Sequence, residues 1–208
     1  MTMLDPRLFI LFLGAATLLA ITPGPGIFYV LTRTLAGGRK EGVLSSLGTL
    51  VGGMIHVVAA GAGLSAVLAA SATAFAVVKY AGAAYLVWIG VSMIRSRNEE
   101  YTAEAAPKGH AFRQGILTEA LNPKTALFFL SFIPQFVNLH GGHVTAQFLM
   151  LGAISVTLNT SADLVVVFSA STLASRLQSS AGFRRRQRAT SGAAMIGLGA
   201  YVALSESR

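Results

Sequence analysis

Apolar residues dominate six stretches of the chain, residues 8–31, 43–68, 74–94, 114–137, 148–174 and 189–204, and most of the charge lies between them. About 20 apolar residues in helical form cross a bilayer core, so the first five stretches each predict a membrane-spanning helix. The sixth, at about 16 residues, predicts a short span with little tilt or in a thinned region of bilayer.

The first stretch is interrupted near its middle by Thr22, Pro23, Gly24, Pro25 and Gly26. Two prolines remove backbone donors and two glycines weaken the helix, so the span either kinks or breaks into half-helices. Irregular backbone at mid-depth is tolerated only where protein or a water-filled cavity covers it, which makes the break a candidate substrate site. The fourth stretch repeats the device 100 residues later with Asn122, Pro123 and Lys124. Thr22 and Asn122 are both N-capping residue types followed by proline, the residue favoured at the first helical position. The spacing therefore predicts that each motif starts a second half-helix near the bilayer midplane.

Composition turns the expectation of spans into one of class. The 208 residues are 53% hydrophobic and only 12% charged, with mean hydropathy +0.63, whereas soluble domains carry about 25% charged residues. With no Cys, a disulfide framework, a thiolate metal site and a dithiol redox relay are excluded. His140 and His143 have no carboxylate or thiol near them in sequence and are read as solvated, so no metal and no cofactor is called for.

The net charge of +8 would suggest nucleic acid in a soluble protein. Here it sorts by loop: Arg33, Arg39 and Lys40 after the first span, Arg95, Arg97, Lys108 and Arg113 after the third, and Arg176, Arg184, Arg185, Arg186 and Arg188 after the fifth. Residues 69–73 and 138–147 hold no Lys or Arg. The positive-inside rule puts the three basic loops in the cytoplasm and both termini outside, and it accounts for the arginine run without a nucleic-acid partner. Asp5 beside Arg7, and apolar sequence continuing past the prolines, argue that the first stretch is retained and not cleaved as a signal peptide.

Residues 96–111, with Glu99, Glu100, Glu104, Pro107 and Gly109, read as a cytoplasmic linker between a first three-helix repeat (1–95) and a second (112–208). An odd number of spans in each half inverts one half relative to the other. Gly82-Ala83-Ala84-Tyr85-Leu86 and Leu198-Gly199-Ala200-Tyr201-Val202 add a loose correspondence at the ends of the halves. The fold class expected is an all-α membrane protein of six transmembrane helices, built as two inverted repeats.

Ionisable groups inside spans are costly and mark function or pairing. Glu119 and Lys124 flank the second break and either pair across it or face a shared cavity. Asp163 lies in a polar patch of the fifth span, as a proton carrier or as the partner of Lys124 or His56. His56, behind Gly48, Gly52 and Gly53, is either a hydrogen-bonded packing residue or a proton or substrate group. Lys79 is expected to snorkel to the outer interface. Gly48 and Gly52 have the small-xxx-small spacing that lets helices approach closely.

The chain resembles the LysE/RhtB-type amino-acid exporters of bacterial inner membranes. The resemblance rests on Thr22-Pro23-Gly24-Pro25, the glycine-rich second span with His56 and Gly63-Leu64-Ser65, Gly82-Ala83-Ala84-Tyr85-Leu86, Phe112-Arg113-Gln114-Gly115, Asn122-Pro123-Lys124 and Phe132-Ile133-Pro134-Gln135-Phe136. It covers the first two thirds of the chain. It implies a six-span secondary carrier that exports amino acids or related metabolites by proton exchange, as a homodimer. The residues themselves leave two other classes open, a membrane-embedded enzyme using His56, Glu119 and Asp163 as acid and base, and a channel or scaffold.

Overall fold

The first apolar stretch is two helices. In this computed structural model, which describes residues 6–70, 72–98, 110–138 and 142–204, α1 spans Pro6–Ile21 and α2 spans Pro25–Ala70. The 46 residues of α2 are not straight: Gly38 adopts φ 76° and ψ −175°, a backbone that favours glycine. Arg33 Nη1 lies 3.6 Å from Glu41 Oε2, and a Cβ on Gly42 would run into Thr34 Oγ1, eight residues back. The chain therefore folds back at Gly38, and Thr34 and Gly42 meet across the turn.

α3 (Ala72–Arg95) ends in a 3-10 turn at Ser96–Asn98. The fourth stretch is broken in its turn: α4 (Ala111–Ala120) stops, and α5 (Pro123–Leu127) starts after Asn122 and continues through a π turn at Phe128–Phe132 and a 3-10 turn at Ile133–Phe136. α6 (Val144–Ser179) and α7 (Ala181–Leu204) complete the chain. No strand occurs among the described residues. Val144–Ala170 is long and apolar enough to cross a membrane, and Pro25–Gly63 passes the same measure only when counted across the turn at Gly38.

Polarity is arranged inside out. Leu47, Val51, Ile55 and Val58 form an exposed apolar stripe along α2, while Ser45, Ser46 and Thr49 on the same helix are buried. Arg33, Lys79, Glu119, Lys124 and Asp163 are buried as well. A lipid-facing exterior around a polar interior accounts for this distribution; a water-facing exterior does not.

Glycine sets the closest helix crossings. α2 packs on α4 and α6, and α3 on α7. A Cβ on Gly115 would lie 2.7 Å from the Ser45 oxygen and 3.1 Å from the Gly48 Cα, and one on Gly52 would lie 2.6 Å from the Ile116 oxygen, so α4 lies directly on the Gly48–Gly52 face. On the other side, a Cβ on Gly192 would lie 2.5 Å from the Gly90 oxygen.

Two expectations are corrected and a third gains detail. The last helix is 24 residues because it begins at Ala181 and takes in Arg185, Arg186 and Arg188 ahead of the apolar stretch 189–204. Ser180 Oγ accepts from Phe183 N at 3.1 Å and starts it, and Arg and Gln extend a helix readily. For the same reason the basic loop after the fifth span shrinks to Ser180, since α6 reaches Ser179. Lys79 does not snorkel: it is buried, with Nζ 5.4 Å from the Tyr80 ring centroid. Most of the 96–111 linker, and His140, lie outside the described residues.

Candidate functional site

At the end of α1, Thr22 N lies 3.2 Å from the Leu19 oxygen; at the end of α4, Asn122 N lies 3.0 Å from the Glu119 oxygen. Leu19 and Glu119 are the residues four before Pro23 and Pro123, so each carbonyl has lost the donor that a continuous helix would supply. In both places a side chain from another segment takes part of the missing role. Lys124 Nζ donates to the Leu19 oxygen at 3.1 Å and the Thr22 oxygen at 2.7 Å. His56 Nε2, stacked near Phe129, donates to the Glu119 oxygen at 2.9 Å.

The starts of the two outgoing helices differ in register. Asn122 is an N-cap: its Oδ1 accepts from Lys124 N at 3.1 Å, Pro123 follows at the head of the helix, and Ala126 N bonds its carbonyl at 3.0 Å. Thr22 is not one. Its hydroxyl turns back to the Leu18 oxygen at 2.6 Å, and the first helical bond of α2 runs from Phe28 N to the Gly24 oxygen at 3.1 Å. Gly24 is thus the cap and Pro25 the first helical residue, because two prolines in succession delay the restart.

The charges of the second break serve the first. The Lys124 ammonium sits at the carbonyl end of α1, the negative pole of that helix. Glu119 Oε2 lies where a Cβ on Gly26 would be within 2.8 Å, beside the first turn of α2 and its positive pole. The carboxylate nearest that turn is therefore the protein's own. Glu119 and Lys124 make no direct ion pair; Glu119 Oε1 accepts from Thr125 Oγ1 at 2.6 Å, and Oε2 from Asn122 Nδ2 at 3.0 Å. Gly24 leaves room for the lysine, since a Cβ there would meet Lys124 Cδ and Nζ at 3.3 Å.

Both charged groups line one narrow, partly open cavity. Leu19 and Ala20 of α1, Thr49 and Gly53 of α2, Phe128 and Phe129 of the π turn, and Ser155 and Asn159 of α6 are also in its wall. Asp163 is buried next to it and reaches it through Thr49, whose Oγ1 donates to Oδ2 at 2.7 Å. Of the residues singled out from sequence, Glu119 and Lys124 are in the wall, Thr22, Gly24, Gly26 and Asn122 buttress them, and His56 is committed to the break.

Thr49 and Ser155 have no such mark in the sequence, and Asn159 has one only as the start of the polar patch 159–163 around Asp163. The signal was the spacing: residues 155, 159 and 163 recur every four positions and share a helix face. Another buried charge, Arg33, lies at the far end of α2's first arm. It donates to Gln114 Oε1, faces Glu41, and lies 5.7 Å from the Tyr29 ring centroid, while Tyr29 itself donates to the Ala111 oxygen at 2.6 Å.

Residues 17–206 match the family model described as LysE type translocator. The homoserine/homoserine lactone efflux protein of Salmonella typhimurium is 32% identical over 169 residues, 80% of each chain. The leucine efflux protein of an Enterobacter species is 30% identical over 140 residues, 65% of this chain and 66% of its own. The membrane protein YrhP of Bacillus subtilis is 31% identical over 206 residues, 93% of this chain and 97% of its own. No solved structure matches significantly.

Proposed function

The chain belongs to the LysE type translocator family, a transporter and not an enzyme family, and from that premise we propose that it is a secondary active exporter of amino acids or related small metabolites in the bacterial inner membrane. The observation that carries the reading is the meeting of two helix breaks around one cavity that holds one fixed acid and one fixed base. A zwitterionic amino acid has the complementary pair. Glu119 has a lone pair left on each oxygen for the substrate ammonium, and Lys124 has a third N–H left for the carboxylate, next to the α5 amides that Asn122 caps.

Two inverted three-helix repeats fit this arrangement, since the incoming helices end on the same hydrogen bond at an offset of 100. The topology with both termini outside draws support from the basic ends: Arg33 joins α4 at Gln114, Arg188 of α7 donates to the Ser96 oxygen, and Arg39 packs over Phe168. These contacts gather the basic segments at one end, the cytoplasmic end by charge. Proton exchange as the driving force, with Glu119, Asp163 and His56 as candidates, and a homodimeric assembly belong to the same reading, carried over from the family resemblance.

The relatives' names make homoserine and leucine the first probes. In proteoliposomes the wild type should show saturable counterflow of at least one radiolabelled probe, and Asn122→Ala and Glu119→Gln should lose it. Full counterflow by both variants overturns the site; rates that never saturate and show no exchange point to a channel.

A further inference from the structure

The buried acid that the substrate cavity leaves over is Asp163. It is fully buried, its Oδ1 has no hydrogen-bond partner, and no Lys or Arg among the described residues pairs with it within 4.0 Å. Its one partner is Thr49, and that hydroxyl is contested, because Thr49 Oγ1 also lies 2.9 Å from the Ser46 oxygen.

A hydroxyl has one proton, so it cannot donate to both acceptors at once. When Asp163 is ionised, Thr49 donates to Oδ2 and the Ser46 oxygen gives up that bond. When Oδ2 carries a proton, Asp163 donates to Thr49 Oγ1, and Thr49 turns its proton to the Ser46 oxygen. The same three groups thus accept either protonation state by reversing one hydrogen bond. Ser46 Oγ, also fully buried and without a partner, lies on the same turn of α2.

The other two candidates are already committed. Glu119 has a donor on each oxygen and stands in the substrate wall, and His56 Nε2 is held by the Glu119 carbonyl. Asp163 is outside the wall, whereas Thr49 is in it. The charged groups that share a cavity with Thr49 are Glu119 and Lys124. α2 adds Arg33, Arg39, Lys40 and Glu41 at its turn and His56 beside Glu119, while α1 and α7 carry charge only near their starts, at Arg7 and over residues 184–188.

We propose that Asp163 is the proton-binding site of the exporter, set one residue back from the substrate cavity, and that Thr49 is the positioning residue that reports its protonation to that cavity. The proposal rests on the exporter reading. A proton taken from outside water binds Oδ2 after substrate has left. It returns to cytoplasmic water when the cavity opens inward, so no oxidant, reductant or other reactant is involved.

The test uses the full-length protein in vesicles loaded with a pH-sensitive dye, with radiolabelled homoserine and leucine as probes, and reads the ratio of protons moved to substrate moved. Asp163→Asn should lower that ratio by about tenfold or more, Asp163→Glu should restore part of it, and Thr49→Val should lower it with the acid still present. An unchanged ratio in Asp163→Asn or Thr49→Val overturns the proposal. Infrared spectra give a readout that needs no substrate: a carboxylic C=O band that is absent from Asp163→Asn and shifted in Thr49→Val supports the site, and no such band at any pH overturns it. A wild type that moves neither probe counts against the exporter reading, and the infrared result still decides the proton site. Should Asp163→Asn fail to fold, Asp163→Glu and Thr49→Val carry both readouts.

Discussion

The Lys124 ammonium lies 2.7 Å from the main-chain oxygen of Thr22, so a side chain of the second broken helix closes the open end of the first. The two breaks are one structure. Lys124 also reaches the Leu19 oxygen, the carbonyl that Pro23 deprives of its helical donor.

Lys124→Met keeps the length of the side chain and removes the donors. It should destabilise the protein by about 1–3 kcal/mol, the cost of buried carbonyls without partners. Thermal unfolding in detergent checks this, and counterflow should fall with it, because the same ammonium faces the cavity.

Gly26→Ala tests the seat of the Glu119 carboxylate. Its Cβ would come within 2.8 Å of Glu119 Oε2 and push the carboxylate off Asn122 and Thr125, leaving a buried charge short of donors. Counterflow should drop by about tenfold or more, and thermal unfolding in detergent should show a loss of about 1–3 kcal/mol. Gly24→Ala, with its nearest contact at 3.3 Å on the flexible lysine, should be milder.

Asn122→Asp should transport no better than Asn122→Ala. Aspartate still caps Lys124 N, which is worth about 1 kcal/mol. It loses the amide that Glu119 Oε2 accepts from at 3.0 Å and puts a second carboxylate there. Two buried carboxylates in contact repel or must share a proton, which offsets the cap, so neither stability nor counterflow should recover relative to the alanine variant, and unfolding temperature and counterflow measured side by side check it.

Arg33→Ala should cost about 2–3 kcal/mol, below the range for a fully buried pair because Glu41 is partly exposed. Arg33→Lys should recover little of it, since a point charge does not reproduce the planar group between Gln114 and Tyr29. Thermal unfolding of the two variants in detergent decides between charge and shape.

Gly192→Ala presses on the Gly90 carbonyl across the α3–α7 crossing, and backbone must move, at a cost of about 1–3 kcal/mol. Gly197→Ala, five residues on in the same helix, meets nothing within 4 Å and should gain about 0.5–1 kcal/mol over wild type from helix propensity. Unfolding temperatures of the pair in one detergent check the contrast.

Both breaks were legible in the sequence because proline acts on backbone chemistry, whatever surrounds it. Asn122 as a cap and the close approach at Gly48 and Gly52 were legible for the same reason. Thr22 misled because two prolines compete for one helix start, and only Pro25 begins it. Lys124 reaching back to Leu19 and Thr22 is a tertiary contact across more than 100 residues, with no local signature. Thr49 and Ser155 went unnoticed because Ser and Thr are common in membrane helices, so only their shared face with Asn159 and Asp163 distinguishes them. The length of α7 was hidden by reading charge as loop, although arginine is a good helix former.

The account stands or falls on whether substrate occupies the cavity between the breaks. Ser155 is in its wall and the chain has no cysteine, so Ser155→Cys offers one thiol in an otherwise silent protein. The measurement is the rate of thiol labelling of this variant in vesicles, with and without saturating homoserine or leucine. The account predicts that the transported probe slows labelling several-fold, by about fivefold or more. Labelling that proceeds at the same rate with and without substrate, in a variant that still transports it, would contradict the account.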